Sequence, residues 1–257
     1  MLVSCIKTNS AQINTQTQPQ VNEEKDFNYS LISNVLKDAG IPQYITENIL
    51  NNINDFSDDL TALLLEQTDP YMLVFVDKET SLSADYAPDD LVELKNNKSY
   101  RVNRDGMYLR QITEAALEEM AAAAKSHGLT LLASSTYRSY DYQVQVYNRN
   151  VRQMGQKEAD RVSAKPGHSQ HQLGLVVDFG SITNDFADTR EGKWLYSNAS
   201  RFGWSISYPK DYEEITGYDW ESWHYRYVGK DAAAFIDKYF DGIQHYALKF
   251  LYWYRAP

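Results

Sequence analysis

Apolar and polar positions along the chain change period several times, and each change marks a different kind of element. Between about Phe27 and Thr68 the period is helical. Leu31, Ile32, Val35 and Leu36 fall on one face, Gly40-Ile41-Pro42 breaks the pattern, and Ile45, Ile49, Leu50 and Ile53 form a second stripe. Leu60, Leu63 and Leu64 give a third helix over Ser57–Glu66. From Tyr71 to Val76 the residues are continuously apolar, which predicts a buried strand. Thr113 is placed to N-cap a helix running to Lys125, stopped at Gly128. Leu129–Ala133 predicts a strand, and Tyr140 to about Met154 a helix closed by Gly155. Leu173–Phe179, Trp204–Tyr208 and Trp223–Val228 predict further strands, and Lys230–Tyr254 an aromatic-rich helix or helix pair. Strands and helices mix without a regular strand–helix–strand rhythm, so the fold class is α+β, and no internal repeat is visible.

The first residues do not share this periodicity. Lys7 to Lys25 is rich in Asn, Gln, Thr and Ser and cannot bury enough surface to fold, which predicts a flexible tether over residues 1–26. A helical cap or spacer over 27–70 and a main domain over 71–257 follow. Leu2-Val3-Ser4-Cys5 resembles the lipobox of bacterial lipoproteins, although the basic and apolar stretches that precede a lipobox are missing. Two readings of Cys5 stay open: a lipid anchor, or a free thiol in a polar terminus.

Composition narrows the chemistry. The 257 residues carry a formal charge of −10, which argues against a nucleic-acid binder. No apolar run approaches the ~18 residues of a membrane span. The single Cys excludes internal disulfides and zinc sites built on paired cysteines, so any metal must be held by His and carboxylates. Two stretches bring such groups together: Ser169-Gln170-His171 leading to Asp178, and Glu221-Ser222-Trp223-His224. A catalytic zinc takes three N or O ligands and keeps one position open. His171 before a strand, Asp178 along it and His224 from another segment could supply the three, with Gly174 allowing close backbone approach. Glu221 would then be a free carboxylate where a general base belongs. Each motif alone is common by chance. Asp178 is more telling, because the run Leu175-Val176-Val177-Asp178-Phe179 would bury a charge that needs a partner.

These residues resemble the VanY-type D-alanyl-D-alanine carboxypeptidases, zinc peptidases of family M15 that trim peptidoglycan stem peptides. The signature is Ser-x-His with an Asp seven residues after the His, then Glu-x-x-His. The similarity extends through Ser135-Thr136-Tyr137-Arg138-Ser139-Tyr140 with Gln143, and through Ser163-Ala164-Lys165-Pro166-Gly167. It continues through Trp194-Leu195, Gly203-Trp204, Tyr208-Pro209-Lys210, Thr216-Gly217-Tyr218 and Trp223 to Gly229. It spans roughly Tyr71 to Gly229, leaving out the tether, the N-terminal helices and the chain beyond about Lys230.

The resemblance implies a small mixed or antiparallel sheet with flanking helices holding a zinc site. It implies Zn²⁺ ligation by His171, Asp178 and His224, and Glu221 as general base toward the water at the metal. Arg138 matches the arginine facing substrate or the developing oxyanion, and Gln143 and Ser169 match positions lining the substrate site. Gln170 stands where an acidic residue is common and Val176 where a small one is usual. The implied activity is release of the terminal D-Ala from peptidoglycan stem peptides in the bacterial cell envelope, outside the cytoplasm. LD-carboxypeptidase, dipeptidase and endopeptidase activities on the same scaffold, or a non-catalytic envelope lipoprotein, are the alternatives. His127 and His245 are expected to be structural; His168 flanks the Ser169 loop, and both substrate contact and a structural role stay open for it. Tyr137, Tyr140, Tyr142, Tyr208, Tyr225 and Tyr227 are expected near the site, as groove residues or as half-buried core. No Gly-x-Ser-x-Gly elbow supports a serine mechanism.

Overall fold

The computed structural model of the protein describes residues 19–255. Helices α1 (Pro19–Asp38), α2 (Gln43–Asn51) and α3 (Ile53–Glu66) come first. Next come β1 (Leu91–Glu93), β2 (Arg101–Val102), β3 (Tyr108–Arg110), α4 (Gln111–Ser126), β4 (Leu132–Ser135), α5 (Tyr140–Met154) and α6 (Gln156–Val162). The chain continues through β5 (Val176–Phe179), α7 (Arg190–Asn198), β6 (Trp204–Ile206), α8 (Glu213–Thr216), β7 (His224–Tyr227), α9 (Lys230–Tyr239) and α10 (Gln244–Arg255). Helix α1 begins with Pro19, within the segment read as tether, and proline suits a first helical position. Cys5 and its lipobox-like neighbours lie outside the described residues.

Five strands form one mixed sheet in the order β2-β4-β5-β7-β6. Only β2–β4 is parallel. Strands β1 and β3 make a separate antiparallel pair. On one face of the sheet, Leu117, Met120, Ala121 and Ala124 of α4 pack in one core with Val177, Phe179, Trp204 and Tyr225. A second core joins residues from both ends of the chain. Phe56 of α3 lies 5.3 Å from Phe235, 4.9 Å from Tyr239 and 5.4 Å from Phe250, ring centre to ring centre. Lys238 Nζ and Tyr239 Oη each donate to Asp59 at 2.7 Å at the edge of that cluster. The N-terminal helices and the Lys230–Arg255 pair therefore form one helical layer, sharing a core with Leu173, Leu175 and Val228.

Two local expectations are corrected. Tyr71–Val76 is buried at Met72, Leu73, Phe75 and Val76 but is a turn and irregular chain, not a strand. The carbonyls of Met72 and Val74 accept hydrogen bonds from the Arg226 guanidinium at 2.9 Å each, so a strand partner is not required to satisfy them. Thr113 does not cap α4. It is fully buried inside the first turn, because α4 starts straight out of β3 with Arg110 at the cap position.

Candidate active site

The candidate site side chains meet at one end of the three central strands. Strands β5 and β7 pair antiparallel with Asp178 opposite His224 and Val176 opposite Arg226. Side chains alternate along a strand, so Asp178 and His224 share a face. Tyr225 points the other way, into the core beneath α4. His171 arrives from a 3₁₀ turn, Gln170–Leu173, whose N-cap is Ser169, with Ser169 Oγ accepting from His171 N–H at 3.3 Å. Gly174 closes that turn at φ +68, and a Cβ there would lie 2.9 Å from Arg110 Cγ. Only glycine reverses the chain there without strain, so the His171 turn passes directly into the Asp178 strand.

Backbone bonds lock the turn to the segment after β4. Arg138 N–H donates to His171 O at 3.2 Å, and His171 Nδ1 lies 2.7 Å from Thr136 O. A proton on Nδ1 satisfies that carbonyl and leaves the Nε2 lone pair free, as in an oriented metal-ligating histidine. His171 Nε2 is 3.2 Å from Asp178 Oδ2, and His224 Nδ1 is 3.0 Å from Asp178 Oδ1 and 3.1 Å from Glu221 Oε2. One ligand atom from each of His171, Asp178 and His224 lies within 4.8 Å of the others. His171 Nε2 and Asp178 Oδ1 are buried yet make no well-formed hydrogen bond. Buried polar atoms of that kind need a partner, and two nitrogens and a carboxylate oxygen form a donor set suited to zinc with one position left open. The residues therefore fit a bound zinc.

The electrostatics agree. Burial, reinforced by Arg138, pushes the His171 imidazole down to about 4, so it stays neutral. Burial also opposes a charge on His224, but Asp178 and Glu221 outweigh it and push that group up to about 9. A position that attracts a proton this strongly attracts a metal cation for the same reason. Asp178 is held well below the carboxylate range by the two histidines in spite of burial. Glu221 is raised, chiefly by burial and also by Asp178. Its side chain is also the most open, 16% exposed against 1% for His171 and 5% for Asp178 and His224. The base candidate thus sits toward solvent and the ligands behind it.

These residues line a cavity of about 360 Å³ with Arg138, Ser169, Gln170, Tyr208, Trp220 and Trp223. Burial lowers the Arg138 guanidinium from its usual value while Asp178 and Glu221 support its charge, and its Nε has no partner. Gln143 does not line the cavity. Its amide donates to Ala164 O at 2.7 Å, which braces the loop leading to Ser169. His168 lies with Lys78 and Lys165 at a neighbouring cavity, its Nδ1 2.7 Å from Asp77 O. Of the six tyrosines expected near the site, Tyr208 lines the cavity, with its ring 4.8 Å from that of His224. Sequence reasoning gave no role to the Thr136 carbonyl or to Trp220. A backbone acceptor leaves no trace in residue identity, and Trp220 lies outside the quoted motifs.

The VanY model, described as D-alanyl-D-alanine carboxypeptidase, matches residues 106–230. The Bacillus subtilis (strain 168) protein YodJ is 40% identical over 171 residues, 64% of this chain and 63% of that protein. A D-alanyl-D-alanine carboxypeptidase of Enterococcus faecalis (strain ATCC 700802 / V583) is 32% identical over 175 residues, 65% of this chain and 62% of that protein. The chain thus matches less than two thirds of the length of these relatives. Among solved structures, the LdcB LD-carboxypeptidase is 36% identical with a TM-score of 0.60, covering 68% of this chain and 89% of that one. VanYB in complex with D-Alanine-D-Alanine is 32% identical with a TM-score of 0.56, covering 67% and 94%. With the VanY model matched over 106–230 and VanYB covered to 94% of its length at 32% identity, the chain belongs to the VanY family of D-alanyl-D-alanine carboxypeptidases.

Proposed function

We propose that the protein is a zinc-dependent carboxypeptidase that removes the terminal D-Ala from peptidoglycan stem peptides outside the cytoplasm. The observation that carries this reading is the Glu221 carboxylate, open to the cavity and 3.1 Å from His224, beside a donor set that leaves a position for substrate. A site that only bound metal would have no use for that carboxylate. A VanY-type D,D-pentapeptidase has been solved in complex with Zn(II), which supports the choice of metal. His171, Asp178 and His224 would hold the ion. Bound zinc supplies Lewis acidity that makes water and the scissile carbonyl more reactive near neutral pH.

The chain's own groups do the rest. Glu221 takes the proton of the attacking water on a carboxylate oxygen and returns it to the departing amine. Its raised affinity for protons, from burial, suits both halves of that transfer. Arg138 offers guanidinium N–H donors to the oxygen that gains charge or to the substrate carboxylate. Gln143 keeps the Ala164 loop in place, and Ser169 supports the His171 turn.

A defined muropeptide digest read by mass spectrometry tests the reading: one D-Ala lost from a pentapeptide is the expected product. Glu221→Gln should lower turnover by about 10²–10⁴-fold while zinc content stays at the wild-type level. Wild-type-like turnover in that variant would refute the base. A second reading has its own support, because the LdcB LD-carboxypeptidase is a similar structure at 36% identity. In that case the same digest shows D-Ala leaving a tetrapeptide. The lipid anchor at Cys5 is a separate proposal, and an unmodified Cys5 in the mass spectrum of the natural protein refutes it.

A further inference from the structure

A second, larger cavity of about 690 Å³ lies between α7, the 209–212 loop and the turn joining α9 to α10. Trp220 borders both this cavity and the metal cavity. Two chain segments divide them. Tyr208 and Glu221 line the first cavity, while Pro209, Lys210 and Ser222 line the larger one, and Glu221 N–H donates to Tyr208 O at 3.0 Å to join the segments.

Three features of its lining are left unused by the fold or by catalysis. Tyr196 stands on α7 with 77% of its surface exposed. Asp211 (φ 70) and Asp241 (φ 54), the non-glycine residues with positive φ among those described, both line this cavity. Left-handed backbone is unfavourable for L-residues, tolerated best by short polar side chains, and gathers at functional positions. Finally, neither carboxylate, nor the Lys210 ammonium, has a hydrogen-bond or ion-pair partner among the described residues, and Lys210 Nζ lies 5.6 Å from the Trp220 ring centre.

The exposed Tyr196 ring and the half-buried Trp220 ring, beside uncommitted carboxylates and an ammonium, form a surface suited to a pyranose. The sugar's C–H face covers a ring, and its hydroxyls donate to carboxylates and accept from lysine. Lys193 also lines the cavity, so two ammonium groups offset the two carboxylates, which favours a neutral sugar over an anionic or cationic ligand. We propose that this cavity binds the N-acetylated sugars to which the stem peptide is attached, so that substrate is recognised at its glycan as well as at its peptide end. The ligand assignment rests on the carboxypeptidase reading.

Two measurements separate the proposal from that reading. Calorimetry with N,N′-diacetylchitobiose, a neutral disaccharide without peptide, should show binding to the wild type that weakens tenfold or more in Tyr196→Ala and in Asp211→Asn. Kinetics should give a KM several-fold lower for a disaccharide-linked pentapeptide than for the free pentapeptide, a difference that Tyr196→Ala removes with kcat on the free peptide unchanged. No disaccharide binding, binding indifferent to both substitutions, or equal KM values in the wild type would overturn the glycan site. Failure to turn over either peptide would instead sink the carboxypeptidase reading, and calorimetry alone would then decide the cavity.

Discussion

The sheet end and the helical layer bury charge in opposite ways. At the sheet end, Arg138, His171, Asp178, Glu221 and His224 crowd together, and burial together with the pull of each on its neighbours shifts their proton affinities. In the helical layer, Phe56, Phe235, Tyr239, Phe240 and Phe250 pack edge and face, and the ionic contact to Asp59 stays at the rim. The first arrangement is costly to assemble without a cation and has value as chemistry. The second is a source of stability. Arg226 joins them: it lies on β7 two residues beyond His224, is fully buried, and spends its bonds on the carbonyls of Met72 and Val74. Met72 belongs to the core of the helical layer and Val74 packs against it, so the layer supports the strand that carries the proposed ligand His224.

If that division is right, the two regions fail differently. The largest effect is expected from His224→Ala, which removes a ligand and should cost zinc and turnover together. Zinc content measured beside activity checks this, and retained stoichiometric zinc would break the assignment. Next comes Phe56→Ala. A large aromatic lost from a packed core destabilises by about 3–5 kcal/mol. Denaturant unfolding should show that loss while kcat per folded molecule at low temperature stays near wild type. A fall in kcat without loss of stability would mean the layer takes part in catalysis.

A pH measurement sharpens the contrast. His245 on α10 packs edge-on against Phe75, 5.1 Å between ring centres, and burial depresses it to about 4. Above about 6.5 the imidazole is neutral in both folded and unfolded chains, so its contribution to stability is fully present. As pH falls below 6.5 the unfolded chain takes a proton that the folded one refuses, and stability declines until the folded group titrates near 4. At the full shift the loss is about 3 kcal/mol. His245→Leu should flatten the stability curve between pH 6.5 and 4, and an unchanged acid limb would show that His245 is not the group responsible.

The two regions were also unequally legible. The helical stripes through Leu36, Ile49 and Leu60 were readable from period alone, but that α3 packs against α9 and α10 was not, because a stripe shows which face is buried and not what covers it. The resemblance named side chains, and of these the fold brings His171, Asp178 and His224 together. The supports of those side chains were not legible, since the Thr136 carbonyl and the Arg226 bonds to Met72 and Val74 involve backbone atoms. Tyr71–Val76 misled for the same reason: buried apolar residues look like a strand wherever their carbonyls are satisfied by a distant side chain. Of the two readings open for Tyr225, groove or core, the alternation of β7 selects the core, turning it away from His224.

The smallest expected effect tests whether the catalytic end depends on a local cap. Ser139 N-caps α5, its hydroxyl accepting from Tyr142 N–H at 3.2 Å, and it directly follows Arg138. Removing such a cap costs about 0.5–2 kcal/mol, so Ser139→Ala should lower stability by about 1 kcal/mol. Stability alone would not separate the regions, because α5 could fray without consequence. The discriminating readout is KM for the pentapeptide. Arg138 is held on one side by its own N–H bond to His171 O at 3.2 Å and on the other by the start of α5. If both anchors aim the guanidinium, the variant should raise KM several-fold with zinc content and the pH dependence of kcat unchanged. If KM does not move, the bond to the His171 turn suffices, and the positioning of Arg138 belongs with the metal site and not with the helix that follows it.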